Sequence, residues 1–158
     1  MSSKRKWLIA TVVAATVSGI IAATALGSPG GGFDQTILGH RATLADAVHS
    51  NFDGIKLKTK APVDEQMVTI TYHPGGFSGW HYHPGFVMVI VESGHITAHF
   101  ADCHTRTFGP HESFFESGHE PFMVSNDSST EDAVVYAAFM APKGSPFRIE
   151  TDVPSCAG

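Results

Sequence analysis

Short runs of alternating hydrophobic and polar residues recur through the middle of the chain. The stretch "GIKLKTK" (54–60) alternates isoleucine, leucine and threonine with lysines, and "MVTITYH" (67–73) alternates hydrophobic side chains with threonines. "HITAHF" (95–100) repeats the pattern. Residues two apart lie on the same face of a β-strand, so each run predicts a strand with one buried and one exposed face.

One run breaks this alternation. "FVMVIV" (86–91) is hydrophobic at every position, which predicts a strand buried on both faces. Further short runs follow between turns rich in glycine, proline, serine and asparagine, namely "RTF", "SFF", "PFMVS" and "AVVYAAFM". Many short strands at regular spacing predict an all-β sandwich or barrel. We place this single domain at residues 51–145, with a C-terminal tail at 146–158.

The N-terminal segment, residues 1–25, has a different pattern. Three basic residues at 4–6 precede an apolar run at 7–27, and "ATA" at 23–25 has the small-x-small form of a cleavage site. This predicts either a secretory signal peptide that is cut near that site or an uncleaved helix that anchors the chain in a membrane. Residues 26–50 begin with "LGSPGGG" and are expected to form a linker and lead-in. Both alternatives predict an exported protein, in the cell envelope or outside the cell.

Charge limits the expected partners. The chain has 10 basic and 15 acidic residues, and cleavage near residue 25 would leave seven basic against fifteen acidic residues, a net charge of −8. An acidic domain of this kind argues against nucleic acid as a partner. It also argues against electrostatic attraction to anionic lipids, so membrane contact is expected only through an uncleaved N-terminal helix.

Two cysteines, Cys103 and Cys156, lie in the part of the chain that is predicted to be exported. An even number of cysteines in an exported domain favours a disulfide bond between them. The bond would tie the C-terminal tail to the middle of the domain. Two unpaired thiols are the alternative.

The stretch "GFSGWHYHPG" raises the question of chemistry. His81 and His83 are two residues apart, so both imidazoles lie on one face if the segment is extended. Imidazole ligands suit iron, copper, nickel or zinc, whereas magnesium and calcium prefer oxygen ligands. Without a metal, the same two neutral rings would hydrogen-bond a ligand or a neighbouring strand.

Around this stretch the chain resembles the cupins, a family of small jelly-roll β-barrels. Gly75 is followed by five residues and then by the His-x-His pair, and Gly94 falls where the first cupin motif ends. The stretch "HESFFESGHEPFMVSN" carries the outline of the second motif, which ends at Asn126. More closely, the chain resembles small exported bacterial cupin-domain proteins. The resemblance implies a jelly-roll barrel whose metal site has three histidines and one glutamate.

Two of these four ligand positions carry other residues. The glutamate position falls at Val87, or at Met88 with the longer spacing, and the third histidine position falls at Phe122. His119, on the turn before Phe122, is the candidate third ligand, and a solvated turn histidine is the alternative. With Val87 and Phe122 in place of ligands, the cavity becomes more apolar, which favours a small-molecule pocket.

Three functions remain open at this point. The first is an exported protein that binds a small molecule in its barrel and holds a transition metal weakly or not at all. The second is a metal-dependent cupin enzyme of the oxygenase or isomerase type. The third is a structural or interaction role without a ligand. The resemblance also implies a homodimer, since such barrels commonly associate through sheet edges, but it predicts the fold better than the reaction.

Overall fold

β-strands provide the regular structure of residues 28–155, the part of the chain that the computed structural model describes. No helix occurs in that range. The strands are β1 (Gly31–Leu44), β2 (His49–Phe52), β3 (Ile55–Lys58), β4 (Val63–Phe77), β5 (His81–Tyr82), β6 (Phe86–Ser93), β7 (Ile96–Phe100), β8 (Thr105–Phe108), β9 (Ser113–Ser117), β10 (Phe122–Ser125), β11 (Ala133–Pro142) and β12 (Ile149–Glu150). They form a nearly closed, jelly-roll-like barrel, so the predicted all-β class is confirmed.

Ten of the strands in residues 28–155 form one sheet that folds into two layers, while β2 and β3 form a separate hairpin. One layer has the strand order β1-β4-β11-β6-β9, and the other has the order β8-β7-β10-β5-β12. The layers join where the end of the long β4 pairs with β10, at Phe77 and Ser125. The strand pairs are antiparallel, so each strand can turn one face toward the interior.

The alternation of residues decides which side chains enter the barrel. Along most of β4, β6 and β11 buried residues alternate with more exposed ones, and Val68, Val91 and Ala133 have no exposed surface. Ile96 of β7 and Phe108 of β8 pack against them from the other layer. Burying a large aliphatic side chain stabilises a fold by about 1.5–3 kcal/mol, so this interior cluster is the main source of the barrel's stability.

The prediction that β6 is buried on both faces is wrong. Met88 is 52% exposed and Ile90 is 49% exposed, whereas Val87, Val89 and Val91 are buried. β6 lies between β11 and β9 in the barrel wall, and a wall strand has only one interior face. The hydrophobic residues of its outward face therefore reproduce the composition of a buried strand without being buried.

The strand β1 also differs from expectation. Residues 31–44 fall in the segment predicted as linker and lead-in, yet they pair with β4 from Leu44, opposite Val63, toward Gly31. Most side chains of β1 are exposed, and its pairing is interrupted by shifts of register. A strand of this kind lacks the clear alternation from which the others were predicted.

Two predictions concern residues that lie outside the described range. The signal or anchor segment (1–25) is one, and Cys156 is the other, so its bond with Cys103 stays a prediction. Cys103 itself lies in the turn between β7 and β8, in a left-handed backbone conformation with φ of 67°. Within residues 28–155, no helix is long and apolar enough to cross a membrane.

Candidate metal centre

His81 and His83 lie side by side in the barrel interior. His81 begins β5, a two-residue strand between β10 and β12, and His83 directly follows that strand. Each residue is 4% exposed, which counts both as buried. Their ring centroids are 4.8 Å apart, with the edge of one ring facing the other. The two imidazoles therefore share one face of the segment, as their spacing predicts.

Backbone carbonyls determine which ring nitrogen of each histidine carries the proton. The Nδ1–H of His81 donates to the carbonyl oxygen of Gly79 at 2.8 Å. The Nδ1–H of His83 donates to the carbonyl oxygen of Phe147 at 2.6 Å. A carbonyl oxygen can only accept, so each neutral ring keeps its proton on Nδ1 and presents the Nε2 lone pair to the interior. Metal-ligating histidines are oriented in this way in other proteins.

Gly79 makes the first of these contacts possible. Its φ of 72° lies in the left-handed region that favours glycine. A Cβ atom added there would lie 1.9 Å from the carbonyl oxygen of Ser28. Only glycine allows the chain to turn tightly enough for the Gly79 carbonyl to reach the ring of His81, two residues later.

A carboxylate from another strand, Glu116 of β9, completes a group of three. Glu116 is 8% exposed. Its Oε2 lies 2.8 Å from Nε2 of His83 and 3.9 Å from Nε2 of His81. One ligand atom from each of the three residues lies within 4.8 Å of the other two. In the strand register Glu116 is directly opposite Val87, where the resemblance places the family's glutamate.

Sequence reasoning missed Glu116, although the chain contains a signal for it. In "SFFES" (113–117), Phe114 and Glu116 are the more buried residues and the others are exposed. A carboxylate on the inward face of a strand requires a polar partner or a metal ion, because an unpaired buried charge is costly. The strand's pairing partner, which brings it to the histidines, could not be read from the stretch itself.

Nε2 of His83 and Oε2 of Glu116 face each other without a hydrogen bond. Nε2 of His83 is buried and makes no hydrogen bond among residues 28–155, although Oε2 of Glu116 lies only 2.8 Å away. With its proton on Nδ1, the ring offers a lone pair to a carboxylate oxygen that also offers a lone pair. Two buried acceptors that face each other are unfavourable unless a cation lies between them. The residues present therefore fit a metal ion.

The electrostatics of the site keep His81 neutral. Burial is the largest cause that lowers the pKa of His81 to about 3, and the positive charge of Arg148 lowers it further. The hydrogen bond to Gly79 acts in the opposite direction but is a smaller effect. The ring is therefore uncharged at neutral pH, and neutral imidazole is the form that ligates metal ions.

A cavity of about 190 Å³ lies beside the three residues. Its wall is largely apolar and includes Val87, which the sequence assigned to the pocket. Apart from the histidines and Glu116, its polar lining residues are Gln35, Gln66, Tyr72 and Arg148. Burial raises the pKa of Tyr72 well above its ordinary value, with a smaller contribution from Glu116, so its hydroxyl remains a hydrogen-bond donor.

Phe122, the other residue assigned to the pocket, lines a different space. It is directly opposite His81 in the strand register, with a ring-centroid distance of 6.3 Å. It borders a groove of about 450 Å³ that also reaches His83 and Glu116. The group of three thus lies between the inner cavity and this outer groove.

His119, the candidate third ligand, is not part of the group. It is exposed on the loop after β9, and its ring contacts that of Tyr82 at a centroid distance of 5.3 Å. The strand β9 ends at Ser117, so the chain has left the barrel wall before it reaches residue 119. Glu116, the last inward residue of β9, offers the third candidate ligand atom instead.

Comparisons with known proteins support the fold. Residues 68–139, slightly less than half of the chain, match the family model of the cupin domain. No curated protein matches the chain. Peruvianin-I, a cysteine peptidase from Thevetia peruviana latex, has 16% identity and a TM-score of 0.52, over 77% of this chain and 68% of that one.

Two other similar structures cover less of this chain. Oxalate oxidase in complex with glycolate has 18% identity and a TM-score of 0.47, over 55% of this chain and 46% of that one. A cupin-like protein from Thermotoga maritima has 15% identity and a TM-score of 0.47, over 56% of this chain and 65% of that one. The chain thus spans less than half the length of the oxalate oxidase structures it matches, and likeness at these identities concerns the fold alone.

Proposed function

Because the chain belongs to the cupin superfamily, we propose that it is a transition-metal-dependent enzyme that acts on a small molecule held in the barrel. The metal ligands in this proposal are Nε2 of His81, Nε2 of His83 and the carboxylate of Glu116. The cavity beside them is the proposed substrate site.

One observation carries the proposal, namely that Nε2 of His81, Nε2 of His83 and the carboxylate of Glu116 converge in the barrel interior. Their separations of 2.8 and 3.9 Å at Glu116, and at most 4.8 Å overall, are close to what one ion can bridge. Ligand atoms lie about 2.0–2.2 Å from a transition metal, so two ligands of one ion are up to about 4 Å apart. A small rotation of one ring would close the widest separation.

The ligand set indicates the class of metal. Two imidazoles and one carboxylate, with further positions left open, form the ligand set of non-haem iron(II) oxygenases. Zinc, copper and nickel also accept these ligands. A metal ion bound here would supply Lewis-acid polarisation of a substrate oxygen or, if it is iron, the means to activate dioxygen.

The remaining residues of the cavity suit a small, mainly apolar substrate. Val87, Val89 and Phe114 line the wall with hydrocarbon, which keeps water away from a bound molecule. Tyr72 and Arg148 offer donors in the same cavity, so a substrate with a carbonyl or carboxylate group can be oriented. A few polar groups in an apolar cavity are typical of small-molecule sites.

A specific observation also supports a second function, a small-molecule binder without a metal. The 2.8 Å separation of His83 Nε2 and Glu116 Oε2 would suit an ion pair if the His83 ring were doubly protonated. In that case the proton replaces the metal ion as the cation between the two acceptors. The outer groove or the inner cavity would then hold a ligand by hydrogen bonds alone.

Elemental analysis of purified protein separates the two functions. The protein is prepared in an oxidising export compartment beside Glu116→Gln, which keeps the side-chain shape but removes the charge, and His119→Asn, which removes a histidine outside the group. We expect about one transition-metal ion per chain in the wild type and in His119→Asn, and little in Glu116→Gln. Equal, trace metal in all three, together with a copurified small molecule in native mass spectrometry, would favour the metal-free binder.

Open coordination positions can be probed in the iron(II)-loaded protein. Nitric oxide, added without oxygen, reports an open site through the electron paramagnetic resonance signal of its iron complex. We expect that signal in the wild type and in His119→Asn. Its absence from iron-loaded wild-type protein would argue against catalysis that uses an open metal site.

Export is part of the proposal and rests on the N-terminal sequence. The basic start, the apolar run and the small residues near position 25 are typical of exported proteins. N-terminal sequencing of the protein from cell fractions tests it. A new N-terminus near residue 26 would indicate a cleaved signal, an intact N-terminus in the membrane fraction would indicate an anchor, and an intact N-terminus in the cytosol would contradict export.

A further inference from the structure

The segment that follows β11, residues 143–148, forms a strap over the cavity and over the group of three residues, His81, His83 and Glu116. It connects β11 to β12, the strand that pairs with His81 and Tyr82. Phe147 and Arg148 of this strap line the cavity. The carbonyl oxygen of Phe147 is also the acceptor for Nδ1–H of His83. The position of the strap therefore determines the orientation and the protonated nitrogen of His83.

Arg41 of β1 is one of the side chains that hold this strap against the barrel. Both of its Nη atoms donate to the carbonyl oxygen of Ser145, each at 3.1 Å. Its guanidinium also lies over the ring of Phe147, 4.0 Å from the ring centroid. Arg41 thus contacts the strap at two residues, through hydrogen bonds at one and a cation–π contact at the other.

Asp64, at the start of β4, holds Arg41 in this position. Its Oδ2 accepts from Arg41 Nη1 at 2.8 Å, and its Oδ1 accepts from the hydroxyl of Thr43 at 2.7 Å. The backbone N–H of Gly144, in the strap itself, also donates to Oδ2 at 2.9 Å. The Gly144 bond is the largest cause that lowers the pKa of Asp64 to about 2, followed by the bond from Thr43. The carboxylate is therefore charged at neutral pH.

We propose that Arg41 is a positioning residue for the metal site, acting through the strap on His83. This rests on the proposed metal function, but the mechanism can be tested without a metal. With the strap in place, the Phe147 carbonyl holds the ring proton on Nδ1 and leaves Nε2 free to ligate. With the strap displaced, the proton can move to Nε2 and donate to Glu116, only 2.8 Å away, which blocks that ligand atom.

The chemistry of arginine suits this role. Its planar guanidinium can donate to the Asp64 carboxylate and to the Ser145 carbonyl together while its face covers the Phe147 ring. A lysine carries the same charge but has a single nitrogen and no planar face. Arg41→Lys should therefore keep the ion pair with Asp64 and hold the strap only in part.

The matched control is Arg106. Its guanidinium also lies over a phenylalanine, Phe108, at 4.5 Å from the ring centroid. Phe108 belongs to the interior cluster and is not part of the strap. Arg106→Met therefore removes the same kind of contact as Arg41→Met without affecting the acceptor of His83.

The first test is ¹⁵N nuclear magnetic resonance of the histidine rings in the metal-free protein, which distinguishes an Nδ1–H ring from an Nε2–H ring. We expect His83 to carry its proton on Nδ1 in the wild type and in Arg106→Met. In Arg41→Met we expect a substantial Nε2–H fraction, with Arg41→Lys between the two. A folded Arg41→Met, or a folded Arg41→Lys if the former does not fold, whose His83 signals match those of the wild type would overturn the proposal.

The second test is zinc affinity, measured by competition with a chelator. Residues that orient a ligand typically change metal affinity by about 10–100-fold when they are removed. We expect about a tenfold loss in Arg41→Met, a smaller loss in Arg41→Lys and less than about a twofold change in Arg106→Met. Equal affinities in the four proteins, with only thermal stability lowered, would show that Arg41 acts on stability alone. If the wild type binds no zinc, the metal function fails, and the ring protonation still decides the role of Arg41.

Discussion

His73 on the barrel surface and His83 in the interior both have ring nitrogens close to carboxylate oxygens, but they differ in what the second ring nitrogen contacts. On the barrel surface, His73 of β4 lies between two aspartates, with Nε2 at 3.0 Å from Asp34 and Nδ1 at 3.1 Å from Asp132. In the interior, His83 contacts Glu116 through one nitrogen and a backbone carbonyl through the other.

The surface arrangement stabilises a cation. Both nitrogens of His73 face carboxylates, so both must carry protons to donate. The hydrogen bonds that His73 donates to Asp34 and Asp132 are the main causes that raise the pKa of His73. The His73 side chain is 45% exposed, and water limits the strength of these ion pairs.

The interior arrangement favours a neutral ligand. Each histidine of the pair donates one proton to a carbonyl oxygen, and burial lowers the pKa of His81 to about 3. The contrast teaches that a nearby carboxylate alone does not identify a metal site. The partner of the second nitrogen and the access of water decide whether a histidine binds a proton or a metal ion.

The largest expected difference concerns zinc affinity. We predict that His83→Asn lowers it by at least about 100-fold, because a direct ligand is lost. His73→Asn should change it by less than about twofold, because His73 lies outside the group of three. Competition with a chelator measures both variants, and a similar loss in the two would contradict the assignment of the site.

The next prediction concerns which strand, β9 or β6, can supply the carboxylate of the proposed metal site. Glu116 and Val87 are directly opposite each other on β9 and β6, where Cβ atoms are about 5 Å apart and side chains share a face. Glu116→Val alone should lower zinc affinity by at least about 100-fold. The exchange variant, Val87→Glu with Glu116→Val, should recover it to within about tenfold of the wild type. No recovery in a folded exchange variant would mean that the β9 position is essential.

The third prediction uses the low pKa of His81. In the unfolded chain His81 binds a proton below about pH 6.5, whereas in the folded chain it stays neutral down to about pH 3. The free energy of unfolding of the metal-free protein should therefore fall as the pH decreases from about 6.5 to about 3, by up to about 1.4 kcal/mol per pH unit. His81→Gln should show a smaller slope in denaturant titrations with a chelator present. An unchanged slope would contradict a buried, neutral His81.

The smallest expected effect is at His73. Because its pKa is raised in the folded protein, His73 stabilises the fold fully below about pH 6.5. This stabilisation is lost as the pH rises through the pKa that His73 has in the folded state. His73→Gln should lower Tm at about pH 6 by about 2 °C or less, with a smaller difference at about pH 9. A difference that grows toward high pH would have the wrong sign for an imidazolium between two carboxylates.

The histidine pair could be predicted from the sequence, but its carboxylate could not. His81 and His83 are two residues apart, which is a local property of the sequence, and a short extended segment puts both rings on one face. Glu116 reaches them only through the pairing of β6 with β9. The register of two strands depends on the whole sheet, so the inward alternation of "SFFES" could show a buried acid but not its neighbours.

The fold, too, could be predicted from the sequence only where the signal is local. The alternation of hydrophobic residues predicted the class and the inward faces of strands such as β4 and β7. It failed for β1, whose exposed side chains carry no such pattern, and for the outward face of β6, where Met88 and Ile90 are hydrophobic. The bond from Arg41 to Ser145 joins residues 104 positions apart. Such contacts depend on how the chain closes the barrel, and no local pattern indicates them.

The most direct test of the metal centre is a zinc titration of the ¹⁵N-histidine-labelled wild-type protein. We predict that the Nε2 signals of His81 and His83 shift together and saturate at one equivalent, while those of His73 and His119 stay in place. Shifts at His73 or His119 alone, or no saturable shift at the buried pair, would contradict the account.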